Sequence, residues 1–170
     1  MLRSLALVSA LDAAGVDHVV VGGVAVVLHG HVRTTVDLDI ALELSSDNLR
    51  AALSVLQAAG LHPRLPVPAE QFADPEIRRA WVEERNLVAF TLVDPADALV
   101  EVDLLATTPV PFAELSAGAV TVDLGDGTRV RVASIDHLIE MKKHSGRPQD
   151  HADIDALTAI RTGGGHGAGA

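Results

Sequence analysis

Two aspartates one residue apart, Asp37 and Asp39, are the best candidates for chemistry in this 170-residue sequence. They lie in the apolar stretch 36–42, and side chains alternate sides along a strand, so both carboxylates share one face. Neighbouring carboxylates repel each other, which raises the pKa of one unless a counter-charge is present. A divalent cation removes that conflict, and Mg²⁺ prefers hard oxygen ligands. The competing interpretation is an exposed strand with two solvated acids.

A pair of glycines, Gly22 and Gly23, comes before the acids, after a short strand predicted over 18–22. Two glycines let the backbone turn sharply and approach a ligand closely. The small helix that follows them, ended by Gly30, begins with free N–H groups that can face a phosphate. Most glycine pairs only make turns, but this one precedes a strand with two aspartates, which makes a ligand site the stronger hypothesis.

A third acid and a lysine extend this candidate site. Asp103 lies in the apolar stretch Val-Asp-Leu-Leu, where a carboxylate is costly unless it is paired or bound to a metal. Lys142 falls on the inward face of a helix predicted over 134–145, four residues after Leu138. An inward lysine either extends its ammonium group to solvent or meets buried negative charge, and we favour the second.

Two side chains between the glycines and the acids are weaker candidates. The loop that carries Arg33 could aim its guanidinium at a phosphate, although a solvated surface arginine is an equal alternative. His29 is better explained as the end of the helix, or as the partner of a carbonyl group, than as a catalytic residue.

The elements that must position these residues follow from periodicity and end signals. Helical spacing predicts a first helix ended by Gly15, and Ser45 or Ser46 caps a second over 47–59. Residues 61–75, with four prolines, predict an irregular or edge segment. The remaining predictions are a charged helix at 76–85, strands at 87–93 and 98–105, a hairpin with strands at 119–124 and 128–133, and a final helix capped by Asp150. This order predicts an α+β fold, a mixed β-sheet flanked by helices.

Composition restricts the class of protein. Forty-eight per cent of residues are hydrophobic and none is cysteine, which excludes disulfides, thiol catalysis and zinc-thiolate sites. The net charge of −10 disfavours a broad nucleic-acid surface. We expect one domain over 1–162, a disordered glycine-rich tail over 163–170, a cytoplasmic location and no membrane partner.

The motifs resemble the nucleotidyltransferase superfamily to which DNA polymerase β belongs. Its signature is a hydrophobic residue, Gly-Gly or Gly-Ser, a short gap, Asp-hydrophobic-Asp-hydrophobic, and an acid on a later strand. Here these are Val21-Gly22-Gly23, a gap of thirteen residues, Asp37-Leu38-Asp39-Ile40, and Asp103. Gly23 stands where many members have serine, so no serine hydroxyl is available at that position to hold a phosphate.

Two stretches look like a small bacterial branch related to AbiE-type toxins. One runs from the glycine pair to Ile40, and the other contains Met141-Lys142-Lys143 and Gly146-Arg147-Pro148. In that branch a lysine five residues before the Arg-Pro pair belongs to the site, and Lys142 holds that place here. The resemblance implies a nucleotidyltransferase-like fold and an NTP substrate.

The resulting hypothesis is a Mg²⁺-dependent nucleotidyltransferase with two metal ions. Asp37 and Asp39 would hold the metals, and Asp103 would bind the one near the attacking hydroxyl. The triphosphate would be held by Gly22, Gly23 and the helix N-terminus and neutralised by Lys142, Arg33 or Arg147.

The resemblance to the toxin branch implies tRNA as acceptor and an antitoxin as protein partner. A protein side chain or a small molecule such as an aminoglycoside also stays open as acceptor. The rival from another class is a nucleotide-binding regulatory module that transfers nothing.

Overall fold

The computed structural model describes residues 2–125 and 127–163, which form a seven-stranded mixed sheet with helices packed on it. The strands are β1 His18–Val20, β2 Asp37–Leu42, β3 His62–Pro63, β4 Ala89–Asp94, β5 Asp97–Leu105, β6 Val120–Asp123 and β7 Arg129–Val132. Their order across the sheet is β3-β4-β5-β2-β1-β7-β6. The pairs β2–β5 and β1–β7 are parallel and the others are antiparallel.

Seven α-helices are described beside the sheet. They are α1 Leu2–Ala13, α2 Gly22–Leu28, α3 Ser46–Ala58, α4 Pro75–Arg85, α5 Phe112–Ala117, α6 Ile135–Ser145 and α7 Pro148–Gly163, with a 3-10 helix at Ala69–Ala73. The hydroxyls of Ser45 and Ser134 cap α3 and α6 by accepting backbone N–H bonds, so of the two serines predicted for α3 it is Ser45 that caps the helix.

The predicted α+β fold with a mixed sheet is confirmed, with some differences at the element ends. The glycine pair forms the first two residues of α2, where a turn ahead of the helix was expected. Asp150 lies inside the first turn of α7, so the prediction that it caps the helix is wrong. Gly163 ends α7, whereas the rest of the predicted tail, 164–170, lies outside the described residues, and so does Asp126.

The central strands, which carry the predicted acids, pack against a buried core. All three residues of β1 are buried, and so are Val24, Ala25 and Val26 of α2, the helix that follows β1. Leu38 and Ile40 of β2 are fully buried, while Val36, predicted to share their face, precedes the strand and is exposed. The alternate residues of β2, Asp37 and Asp39, are left for the opposite face.

Three aromatic rings of the core pack together beside β4. The rings of Phe72 and Phe90 stack 4.8 Å apart, and Trp81 stacks on Phe90 at 5.8 Å. Arg78 is buried here and donates to the carbonyls of Phe72 and Leu44, so it braces the core.

Among the described residues, every helix is too short or too polar to cross a membrane.

Candidate active site

The three predicted acids meet on two adjacent parallel strands. The register of β2 and β5 sets Asp37 opposite Glu101 and Asp39 opposite Asp103. Residues opposite each other in a sheet share a face, so four carboxylates occupy one small area. Asp103 was predicted as the third acid from its own apolar surroundings, and the register now shows that Asp39 is its neighbour on the adjacent strand.

The acids are short of positive charge. Burial, then the Asp103 and Asp37 carboxylates, raise the pKa of Asp39 to about 6, against the opposing effects of the Gly23 N–H bond and Arg147. Burial and the charges of Glu101 and Asp103 also raise the pKa of Asp37. Raised values in neighbouring acids mark a site that gains from a bound cation.

The outer edge of the acid group is tied down by polar partners. The Thr91 hydroxyl on β4 donates to Oδ1 of Asp103 at 2.6 Å. Arg64, next to β3, forms an ion pair with Glu101. Glu101 thus has an ion-pair partner, whereas Asp37 and Asp39 form no ion pair with any described residue. The charge deficit therefore lies at the two predicted metal-binding aspartates.

The glycine pair is fitted around Asp39. Val21 donates its N–H to the Asp39 carbonyl at 2.9 Å, and the Gly23 N–H donates to the Asp39 carboxylate. Gly22 has a φ of +61°, and a Cβ there would stand 2.5 Å from the Asp39 carboxyl carbon and closer still to Oδ2. Only glycine combines that backbone conformation with that approach. The glycine pair thus positions the Asp39 carboxylate. From the sequence, the pair was expected only to turn the chain and to let a ligand approach.

Replacing Gly22 by alanine should therefore displace Asp39. We expect the Mg²⁺ affinity of Gly22→Ala, measured by calorimetric titration, to be at least about tenfold lower than that of the wild type. The added Cβ must push the Asp39 carboxylate out of its position by more than hydrogen-bond and metal-ligand distances allow. Gly15→Ala is the matched control, since Gly15 has a φ of +70° but no atom within 4 Å of an added Cβ. Both variants carry backbone strain of roughly 1–2 kcal/mol. Equal Mg²⁺ affinity in the two variants would contradict the assigned role of Gly22.

Two predicted phosphate-binding cations are held by buried acids of α7. Lys142 is buried, and its Nζ lies 2.6 Å from Asp153 and 3.2 Å from Asp150. Arg33 donates from Nη1 to Asp153 at 2.5 Å. The inward Lys142 thus meets buried negative charge, as favoured, but its ion-pair partners are Asp150 and Asp153 rather than the three acids of the sheet.

Asp150, predicted only as a helix cap, and Asp153 are the acids that the sequence did not place at the site. Burial alone would raise the pKa of Asp150, but bonds from the Ser145 hydroxyl, the Arg147 N–H and Lys142 outweigh it and lower the pKa. Both acids lie on the inward face of α7, three residues apart, and each is at most 5% exposed. The sequence did contain one indication of their role. Both acids fall on the inward face of a helix, shortly after the inward-facing Lys142.

All eight predicted site residues line one cleft of about 680 Å³. They are Gly22, Gly23, Arg33, Asp37, Asp39, Asp103, Lys142 and Arg147. Arg147 is exposed, and its charge acts on both Asp37 and Asp39. His29, in contrast, ends α2 and contacts the Ala133 carbonyl through Nε2 at 2.8 Å, in agreement with its predicted structural role.

The carboxylate oxygens of Asp37, Asp39 and Asp103 are suitable ligands for a hard divalent cation. Carboxylate oxygens without a counter-charge, in a partly buried cleft, are what Mg²⁺ binds. Across residues 2–125 and 127–163 no three His, Asp or Glu side chains already converge as a metal cage. Mutual repulsion holds unneutralised carboxylates apart, and a bound cation would draw them together.

The fold is shared with solved structures of very different sequence. The antibiotic-resistance factor ANT(2'')-Ia matches with a TM-score of 0.56 at 13% identity, over 95% of this chain and 84% of that one. An antigenic nucleotidyltransferase-like protein from Paracoccidioides brasiliensis matches with a TM-score of 0.56 at 17% identity, over 93% and 73%. The sequence matches no protein-family model and no curated protein.

These likenesses establish the fold. The predicted nucleotidyltransferase-like fold is confirmed. The AbiE-type branch finds no support in either structure and stays a prediction, as do the individual roles of the site residues.

Proposed function

We propose that this chain, which has a nucleotidyltransferase-like fold, transfers a nucleoside monophosphate from an NTP to a hydroxyl acceptor and releases pyrophosphate. One observation carries the proposal: Asp39 and Asp103 are opposite each other on parallel strands, with Asp37 beside them and the glycine pair against Asp39. Acids with raised pKa values in a cleft are typical of functional sites.

Asp37, Asp39 and Asp103 would hold two Mg²⁺ ions. When bound, Mg²⁺ supplies charge stabilisation for the entering and leaving oxygens of an in-line displacement at the α-phosphorus. The residues of the chain bind and orient the substrate. The backbone at Gly22 and Gly23 admits close approach, and Arg147 places an exposed positive charge at the mouth of the cleft.

The apolar side of the cleft suits a base or a compact acceptor. Its lining includes Val88, Leu105, Pro109, Leu138 and Met141. Pockets for small molecules are mostly apolar with a few placed polar groups. The shared fold with an antibiotic-resistance factor supports a small molecule as acceptor. A tRNA acceptor, an antitoxin partner and a cytoplasmic location rest on the toxin resemblance and the cysteine-free composition.

A labelling assay tests the proposal. The purified protein is incubated with Mg²⁺ and each of four NTPs carrying radiolabel in the α-phosphate, with total RNA, with aminoglycosides, or without acceptor. The control is Asp37→Ala/Asp39→Ala, and Asp47→Ala serves as a surface match because its side chain is 98% exposed.

We expect label on one acceptor with the wild-type protein and Asp47→Ala, and none with the double variant. Removing Mg²⁺ with a chelator should have the same effect as the double variant. Label that persists in the double variant would contradict the proposal. Tight NTP binding without labelled product from any acceptor class would favour the rival, a regulatory nucleotide-binding module.

A further inference from the structure

We infer that Thr35 binds a phosphate of the nucleotide and replaces the side-chain hydroxyl that is missing at position 23. The inference rests on the proposed function and adds a residue to its substrate site.

The space beside Gly23 is already filled. A Cβ added to Gly23 would stand 3.0 Å from the Thr35 Cβ and closer still to its hydroxyl oxygen. It would also stand 3.2 Å from an Nη atom of Arg33. The volume that a serine side chain at position 23 would enter is therefore occupied by the Thr35 hydroxyl, with a guanidinium next to it.

The Thr35 hydroxyl is free for a ligand. It lines the same cleft as Asp37 and Asp39, is half-buried, and forms no hydrogen bond with any of the residues described. A hydroxyl can both donate and accept, and a bond to a charged phosphate oxygen is stronger than one to a neutral group.

The stretch 33–39, which leads into β2, carries these groups at alternate positions. Its odd positions, Arg33, Thr35, Asp37 and Asp39, all line the cleft. The even positions Thr34 and Val36 are exposed. This segment thus places a cation, a hydroxyl and two carboxylates along the same cleft. Such a row of groups suits a phosphate that is bound to a metal ion.

Nucleotide titration tests the inference. Calorimetry with each of the four Mg²⁺–NTPs compares wild type with Thr35→Val, which keeps the shape of the side chain and removes its hydroxyl. Thr34→Val is the matched control, one residue away and exposed. We expect about a tenfold loss of affinity in Thr35→Val, the size of one charge-assisted hydrogen bond, and no change in Thr34→Val.

A reciprocal exchange separates phosphate binding from simple space filling. Gly23→Ser alone should bind nucleotide poorly, because its Cβ collides with Thr35, and Thr35→Gly should also bind poorly, because the hydroxyl is gone. Gly23→Ser/Thr35→Gly moves the hydroxyl to position 23 and should bind at least fivefold more tightly than either single variant. Circular dichroism checks that each variant is folded.

The outcomes distinguish this inference from the proposed function. Unchanged affinity in Thr35→Val, or a double variant no better than Thr35→Gly, overturns the role of Thr35 even if the wild type transfers nucleotide. A wild type that binds no Mg²⁺–NTP overturns both proposals together.

Discussion

Asp39→Asn should abolish nucleotidyl transfer and at the same time make the metal-free protein more stable. The amide keeps the shape of the carboxylate and can still accept the Gly23 N–H bond. It removes the charge that would hold the metal, so we expect transfer to fall by at least about 1,000-fold, the scale of a lost electrostatic contribution to catalysis. The labelling assay measures this loss.

The stability gain follows from the raised pKa of Asp39. The pKa is about 6 in the folded protein against the ordinary value of 3.8, so the folded state binds the proton more tightly than the unfolded state. Wild-type stability therefore falls as pH rises from about 4 to about 6, and above that range ionised Asp39 costs roughly 1–3 kcal/mol. Asp39→Asn removes this cost.

Thermal unfolding at two pH values checks the sign. At pH 8 without metal, Asp39→Asn should melt several degrees above wild type, whereas near pH 4 the two should melt together. Excess Mg²⁺ should raise the melting temperature of wild type and leave the variant unchanged. A variant less stable than wild type at pH 8 would show that Asp39 is neutralised in the metal-free protein, against the charge distribution described above.

Asp153→Ala should be the most destabilising single change among the charged residues of the cleft region. Its carboxylate is 3% exposed and contacts both Lys142 and Arg33. Removal leaves two cations in a buried environment without their shared partner, which costs about 3 kcal/mol by analogy with other broken buried ion pairs. For a domain of this size that corresponds to a fall in melting temperature of roughly 10 °C.

Two further variants identify the cause of that loss. Asp155→Ala, on the same helix and exposed, should change the stability by no more than about 0.5 kcal/mol. Asp153→Asn keeps the volume and removes the charge, and it should lose most of the stability that Asp153→Ala loses. If Asp153→Asn proves as stable as wild type in denaturant titration, the ion pairs contribute little and packing explains the alanine result.

The site residues that could be predicted from the sequence are those whose neighbours in the chain already indicate where their side chains lie. Asp37 and Asp39 alternate with buried Leu38 and Ile40, so strand periodicity alone places both acids on one face. Asp103 stood out because a carboxylate interrupts an apolar strand. In each case the signal lies within a few neighbouring residues, which is where periodicity is informative.

The parts that the sequence did not reveal depend on pairs distant along the chain. Arg33 and Asp153 are 120 residues apart, and nothing near either residue indicates the other. The same is true of Gly23 and Thr35, whose contact depends on how α2 leaves β1. Sequence reasoning therefore assigned Lys142 and Arg33 to a phosphate, without the carboxylates that hold them.

Those carboxylates give the cleft a net negative charge. Five acids, Asp37, Asp39, Asp103, Asp150 and Asp153, face three cations, Arg33, Lys142 and Arg147. With all of them ionised, two negative charges remain, so a bare triphosphate meets net repulsion. Two divalent cations, bound to the acids or carried by the triphosphate, cancel that repulsion. We therefore expect the proposed nucleotide substrate to be bound with its metal ions rather than free, whichever base it carries.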